Sequence, residues 1–213
     1  ASMLLFKGSG PVEYKQAVRH LRKNRYAEAV KELDALIKQD AKNPAHYHFR
    51  AEIFRVWGRL NQARNDYTKM TRLDPNSAMA YNGLAEIELQ AKQYDAAHQA
   101  AIRAQELAPN DWVALYNLGT IEDRLGASEA VIEHLEQALE IKISDSRHRS
   151  LAYLFLARAY SRLGDMDAAG DTVKTLKRYR GGLNEWQVLL QSDQAKTLRD
   201  MLGDDVETAL ALV

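Results

Sequence analysis

Two short stretches, Leu73-Asp74-Pro75-Asn76 and Leu107-Ala108-Pro109-Asn110, set the same Leu-x-Pro-Asn pattern 34 residues apart. Counting back from Pro109 at fixed intervals meets Ala104, Ala97, Tyr94, Ala85, Leu84 and Tyr81. The same intervals from Pro75 meet Met70, Ala63, Leu60, Ala51, Arg50 and Tyr47. Except where Arg50 stands opposite Leu84, each place is apolar or aromatic in both units. A period of this length marks a chain built from one small unit copied along its length. Such a unit cannot bury its apolar face alone, so it must stack on its neighbours. With 46% apolar and 27% charged residues among 213, the chain has enough apolar material to fold throughout.

The pattern resembles the tetratricopeptide repeat, a helix–turn–helix of 34 residues with an aromatic in its opening helix A, a Leu-Gly/Ala pair and a terminal Pro. Five units can be laid down. Residues 10–43 form a weak first copy, in which Ala17, Tyr26, Ala29 and Leu36 match but Glu13 replaces the aromatic. The second and third copies are 44–77 and 78–111. The fourth, 112–145, carries Leu118-Gly119, Gly126, Val131 and Ala138, with Ile143 in place of Pro. The fifth, 150–183, carries Tyr153, Leu156-Ala157, Tyr160, Gly164, Ala169 and Leu176, and a four-residue insertion, Ser146 to Arg149, precedes it. The resemblance implies an all-α fold, a right-handed α-α superhelix of about five helix-turn-helix repeats with a C-terminal capping helix.

The residues agree on physical grounds. Ala85, Gly119 and Ala157 are small where helix A must let helix B approach, and Ala29, Ala63, Ala97 and Ala169 do the same from helix B. Tyr26, Leu60 and Tyr94 open the B helices as apolar plugs. Gly58, Gly126 and Gly164 suit helix C-termini that need positive φ. Residues 184–213 break the repeat after Gly181-Gly182. There Trp186, Leu189, Leu190, Ala195, Leu198, Met201 and Leu202 recur at helical spacing, which reads as a cap over the last open interface. A second short helix is expected from Asp204 or Asp205 to Leu212.

No catalytic signature is present: no phosphate-binding glycine loop, no Gly-x-Ser-x-Gly elbow and no His-Glu-x-x-His pair. The absence of cysteine excludes disulfides, cysteine-held zinc and thiol nucleophiles. The six histidines are scattered, and His46 and His48 point to different faces of one helix. Asp165-Met166-Asp167 lacks the oxygen ligands of a calcium loop at Ala169 and Leu176. The expectation is therefore no enzyme, no metal and no cofactor.

Charge is balanced overall, with 29 basic and 29 acidic residues, which argues against nucleic acid as a partner. It is unevenly distributed, however. Residues 1–77 hold 15 basic and 8 acidic residues, 78–145 hold 4 and 12, 146–183 hold 8 and 3, and 184–213 hold 2 and 6. Blocks of alternating sign can steer a polar partner or drive homo-oligomer formation.

The resemblance places helix A side chains on a concave face. In this chain these are Tyr14 and Val18; His48, Phe49, Glu52 and Arg55; Asn82, Glu86 and Gln90; Tyr116, Asn117, Thr120, Asp123 and Arg124; and Leu151, Leu154, Phe155, Arg158 and Arg162. A groove of this kind binds a peptide or helix through a few aromatic and arginine anchors. One subclass of the family grips a chaperone C-terminus with a Lys/Asn/Arg clamp. Here the corresponding places hold His48, Glu52, Asn82, Glu86, Val113 and Asn117, and acids where cations are required argue against that role. Leu151, Leu154 and Phe155 form an apolar patch, expected either to be covered by the C-terminal segment or to be the partner's hydrophobic pocket.

The expected function is a non-catalytic scaffold or adaptor for a protein partner. The alternatives are a self-assembling structural protein and a helper subunit of a bacterial envelope, pilus or secretion assembly. Residues 1–9 read as a lead-in, with Ala1-Ser2 a cloning remnant. No stretch approaches the roughly 20 apolar residues of a membrane span. The expected address is cytoplasmic, with an upstream signal or anchor left open.

Overall fold

The computed structural model describes residues 12–192 and 195–213, and the expected lead-in at 1–9 lies outside them. All regular structure among the described residues is helical. A short 3-10 turn at Val12–Tyr14 runs into α1 (Lys15–Leu21). There follow α2 (Tyr26–Gln39), α3 (Pro44–Val56), α4 (Leu60–Leu73), α5 (Ala78–Gln90), α6 (Tyr94–Leu107), α7 (Trp112–Leu125), α8 (Ser128–Ile141), α9 (Ser146–Leu163), α10 (Met166–Arg178), α11 (Arg180–Leu190) and α12 (Lys196–Ala211). Odd-numbered helices from α1 to α9 are the A helices and even-numbered ones from α2 to α10 the B helices of five stacked hairpins. Neighbouring A helices also touch one another, α5 with α7 and α7 with α9.

The A-to-B turn shows how the repeat is written into the backbone. Asn24, Gly58, Lys92 and Gly126, one per 34 residues, all adopt positive φ (58°, 75°, 58° and 78°), and Gly164 does so at 84° in unit five. Three of the five are glycine because a Cβ is disfavoured there, and Asn24 is the next best choice. Lys92 holds the same geometry against its own preference, so the tertiary stack imposes the turn. The A helices of units two to five begin on a side-chain cap: Asn43, Ser77, Asp111 and Asp145 each accept a backbone N–H of the first turn.

Packing is local, as expected of a solenoid. Tyr14, Val18, Leu33, Phe49 and Ile53 form one cluster, with Tyr14 stacked on Phe49 at 4.7 Å. Tyr47, Tyr67, Met70 and Ile87 form the next, and Leu89, Leu118 and Ile121 the third. The largest cluster joins units four and five to the two C-terminal helices. Close approach is tightest at Gly83: a Cβ there would lie 2.1 Å from the Tyr67 ring, so only glycine admits that tyrosine.

Polar staples cross the same interfaces. Arg50 reaches Asp34 on α2 at 2.5 Å and grips Asp66 on α4 with two nitrogens at 2.8 and 2.6 Å. Arg64 does the same to Glu88 between α4 and α5, at 2.5 and 2.7 Å. Buried Glu122 on α7 lies between His98 of α6 and His134 of α8, at 3.2 and 2.8 Å. The hydrogen bond to Glu122 raises the His134 pKa above 6.5, outweighing the opposing effect of burial. A histidine with a raised folded-state pKa stabilises the fold fully below its unfolded value, and this gain is lost as pH rises through the folded value. The melting-temperature advantage of the wild type over His134→Gln should therefore be largest near about pH 6 and shrink toward about pH 8. Melts across that range check it, and a gap that widens with pH overturns the assignment.

The insertion at Ser146 to Arg149 is helical: Asp145 caps the helix at Arg147 N and His148 N, and the insertion adds a turn to the front of α9. Two boundaries differ from the reading of the sequence. The Gly181-Gly182 pair does not separate helices but lies in the first turn of α11, where a Cβ on Gly182 would meet the Ser146 carbonyl oxygen at 2.2 Å. Lastly, α12 starts at Lys196 rather than at Asp204 or Asp205. The apolar series from Trp186 to Leu202 is thus split between α11 and α12.

Candidate partner-binding groove

The C-terminal hairpin, α11 and α12, folds back across the A helices. It contacts α9 through both of its helices and reaches α5 through α12. Leu151, Leu154 and Phe155, at most 2% exposed, pack against Trp186, Leu189, Leu190, Leu202, Val206 and Ala209. The apolar patch of unit five is therefore covered by the chain's own tail and offers no open surface.

An ion cluster fastens the cover. The side chain of Asp123 on α7 is wholly buried and accepts from Arg124 at 3.0 Å, Arg158 at 2.6 Å and Arg162 at 2.9 Å. Asp205 of α12 closes the circuit. It accepts from Arg158 at 2.8 Å and from Arg124, which also donates to the Met201 carbonyl at 3.3 Å. Both Arg124 and Arg158 lie 5.6 Å from the Phe155 ring centre, a cation–π arrangement. Burial works to lower the Arg158 pKa, yet Asp205 and Asp123 hold it above the ordinary value. The acidic tail thus meets the arginines of unit five, and two of the opposite charge blocks are paired within one chain.

Toward units two to four the groove stays open as a cavity of about 570 Å³. Its lining includes nine of the sequence candidates: His48, Glu52, Arg55, Asn82, Glu86, Gln90, Tyr116, Asn117 and Thr120. Arg55 grips Glu52 with Nε and NH2 at 3.2 and 2.6 Å, and the Tyr67 hydroxyl donates to the same carboxylate. Burial alone would raise the Glu52 pKa, but Arg55 outweighs it and holds the acid below its usual range. Asn117 donates to Asn82 Oδ1 at 3.3 Å, and Asn82 donates to Asp111 at 3.3 Å, so the two asparagines form a relay between α5 and α7. Burial lowers the His48 pKa, which favours a neutral imidazole.

The far wall was not legible as a site in the sequence. His148 sits among three aromatic rings, 4.9 Å from Tyr116, 5.7 Å from Trp112 and 5.8 Å from Trp186. Its Nδ1 is held by Asp145 at 2.9 Å, and Arg147 lies 5.4 Å from the Trp186 ring centre. Trp186 is 4% exposed and its Nε1 has no hydrogen-bond partner. Leu189, Leu198, Met201 and Leu202 from the tail complete the lining. His148 lies in the insertion and Trp186 in the cap, so neither belongs to the repeat pattern that marked the other candidates. Phe49 goes elsewhere, stacked on Tyr14 in the N-terminal core. Tyr14 of the 3-10 turn and Val18 of α1 are buried there too, packed in one cluster with Leu33 of α2 and Phe49 and Ile53 of α3.

Comparison with known proteins accords with this architecture. Tetratricopeptide repeat family models match residues 14–56, 58–120, and 113–142 with 151–177. Tetratricopeptide repeat protein 13 of Homo sapiens is 31% identical over 132 residues, which are 62% of this chain and 15% of that protein. The chain therefore spans a small part of that relative's length. A crystal structure of MamA aligns with a TM-score of 0.67 at 25% identity, covering 79% of this chain and 96% of the other. YrrB, described as a TPR protein with an unusual peptide-binding site, aligns with a TM-score of 0.62 at 15% identity over 87% of this chain and 96% of its own. With family matches running from residue 14 to 177 over stacked helical hairpins, the chain belongs to the tetratricopeptide repeat family.

Proposed function

We propose that the chain is a non-catalytic protein-interaction scaffold that holds an extended segment of a partner in the open part of its concave groove. The observation that carries this reading is the cavity between α3, α5, α7 and the C-terminal hairpin. It pairs an asparagine relay with apolar walls. A peptide backbone supplies both donors and acceptors for such a surface, and an asparagine amide can meet both. The peptide-binding site named for YrrB, on a similar fold, supports the reading. Arg124, Arg158, Arg162 and Asp123 act in it as fasteners of the tail, while His48, Glu52, Arg55, Asn82, Glu86, Tyr116, Asn117 and Thr120 face the partner.

Self-assembly through opposite charge blocks has less to draw on, since Asp205 already neutralises Arg124 and Arg158 within the chain. Among the described residues no helix is long and apolar enough to cross a membrane. The test is selection of binders from a random peptide display library on the immobilised chain, followed by titration of the winners against Asn82→Ala and Asn117→Ala. Selected peptides should bind the variants about tenfold or more weakly with helical content unchanged. Winners that bind both variants as well as wild type would place the interface elsewhere.

A further inference from the structure

The cavity holds one carboxylate more than it holds cations to satisfy it. Arg55 is the guanidinium shared by Glu52 and Glu86, and it gives Nε and NH2 to Glu52, which also takes the Tyr67 hydroxyl. Glu86 is left 4.0 Å from Arg55 NH1, beyond hydrogen-bonding distance. The other charges of the lining are engaged elsewhere. Asp111 caps α7 at Val113 N and takes the Asn82 amide, while Arg147 and His148 both hold Asp145. Asn117 and His148 lie near enough to favour its charge, but neither brings it a close counter-ion. Burial accordingly raises the Glu86 pKa against the pull of Arg55. Its side chain keeps 35% of its surface accessible, and it lines the cavity.

The walls beside it are aromatic and aliphatic, with Trp112, Tyr116, Leu89, Trp186 and Met201 among them. Such walls suit the methylene stem of a long basic side chain and the face of a guanidinium.

From this surplus charge and these walls we propose that the cavity is a specificity pocket for a lysine or arginine of the bound peptide, with Glu86 as its counter-ion. This rests on the groove-binding reading above and adds the residue class that is read. An acidic side chain would face Glu86 and Glu52. A free amine would meet Glu86 but lacks the backbone amide that Asn82 and Asn117 beside it can pair with. A basic residue within a peptide answers both.

The experiment is a titration of the ¹⁵N-labelled full chain with N-acetyl-arginine N-methylamide, its norleucine counterpart and agmatine, following the Trp186 indole cross-peak identified through Trp186→Phe. The arginine compound should bind about tenfold tighter than the norleucine one and move the indole peak. Glu86→Gln, near-isosteric and relieved of the surplus charge, should erase that preference while keeping its helical spectrum. Equal binding of the arginine and norleucine compounds, or no binding of either, overturns the proposal. Agmatine binding as tightly as the arginine compound overturns the peptide source. The display selection separates the two levels: winners that depend on Asn82 and Asn117 but show no lysine or arginine preference leave the groove reading standing and remove this one. Winners enriched in lysine or arginine on wild type but not on Glu86→Gln support both.

Discussion

Asp123→Ala is expected to destabilise the fold by about 3–5 kcal/mol, because it leaves charges buried without their partner. The Asp123 carboxylate is fully inaccessible and receives Arg124, Arg158 and Arg162 from two A helices. With it gone, Asp205 alone faces the guanidiniums of Arg124 and Arg158 beneath α12. Arg162→Ala is the control. Its side chain is 40% exposed and its loss still leaves Asp123 two arginines, so its cost should stay within about 1 kcal/mol. Chemical denaturation of the two variants reads the difference. If both cost the same small amount, the cluster is a surface feature and does not fasten the cap.

Truncation after Ser192, which removes α12, is the second large effect. Leu202 and Val206 are at most 4% exposed and Ala209 is fully buried, all within the C-terminal cluster. Burying a Leu or Val contributes about 1.5–3 kcal/mol, so losing this face costs on the order of 5 kcal/mol. The loss is expected to be regional. Units one to three keep their own clusters, so the melt should divide into an early C-terminal transition and a later one, with hydrogen exchange rising first in α9 and α11. Leu154 and Phe155 would then bind a hydrophobic dye. A truncated chain with one transition at the wild-type temperature would show that α12 only rests on the groove.

Much of this molecule was legible in the order of its residues. The 34-residue period specifies a unit whose apolar face is completed by its neighbour, so Tyr26, Leu60 and Tyr94 open B helices and Gly58, Gly126 and Gly164 turn with positive φ. The nine cavity-lining candidates follow from the same logic, since helix periodicity alone decides which side of an A helix faces away from its B helix. Contacts between residues close in sequence, or one repeat apart, are encoded in the repeat itself.

Only the tertiary structure decided what the groove became. The pairing of Asp205 with Arg124 and Arg158 joins residues 81 and 47 positions apart, and no period links them. Trp186 and His148 meet because α11 swings back and because the insertion lengthens α9 by a turn. Neither event leaves a pattern along the chain. The fold was therefore written in local spacing, which a reader of the sequence can count. The site was written in one long-range return of the chain, which brings an acid, an indole and an apolar face onto a surface that the repeats alone would have left open.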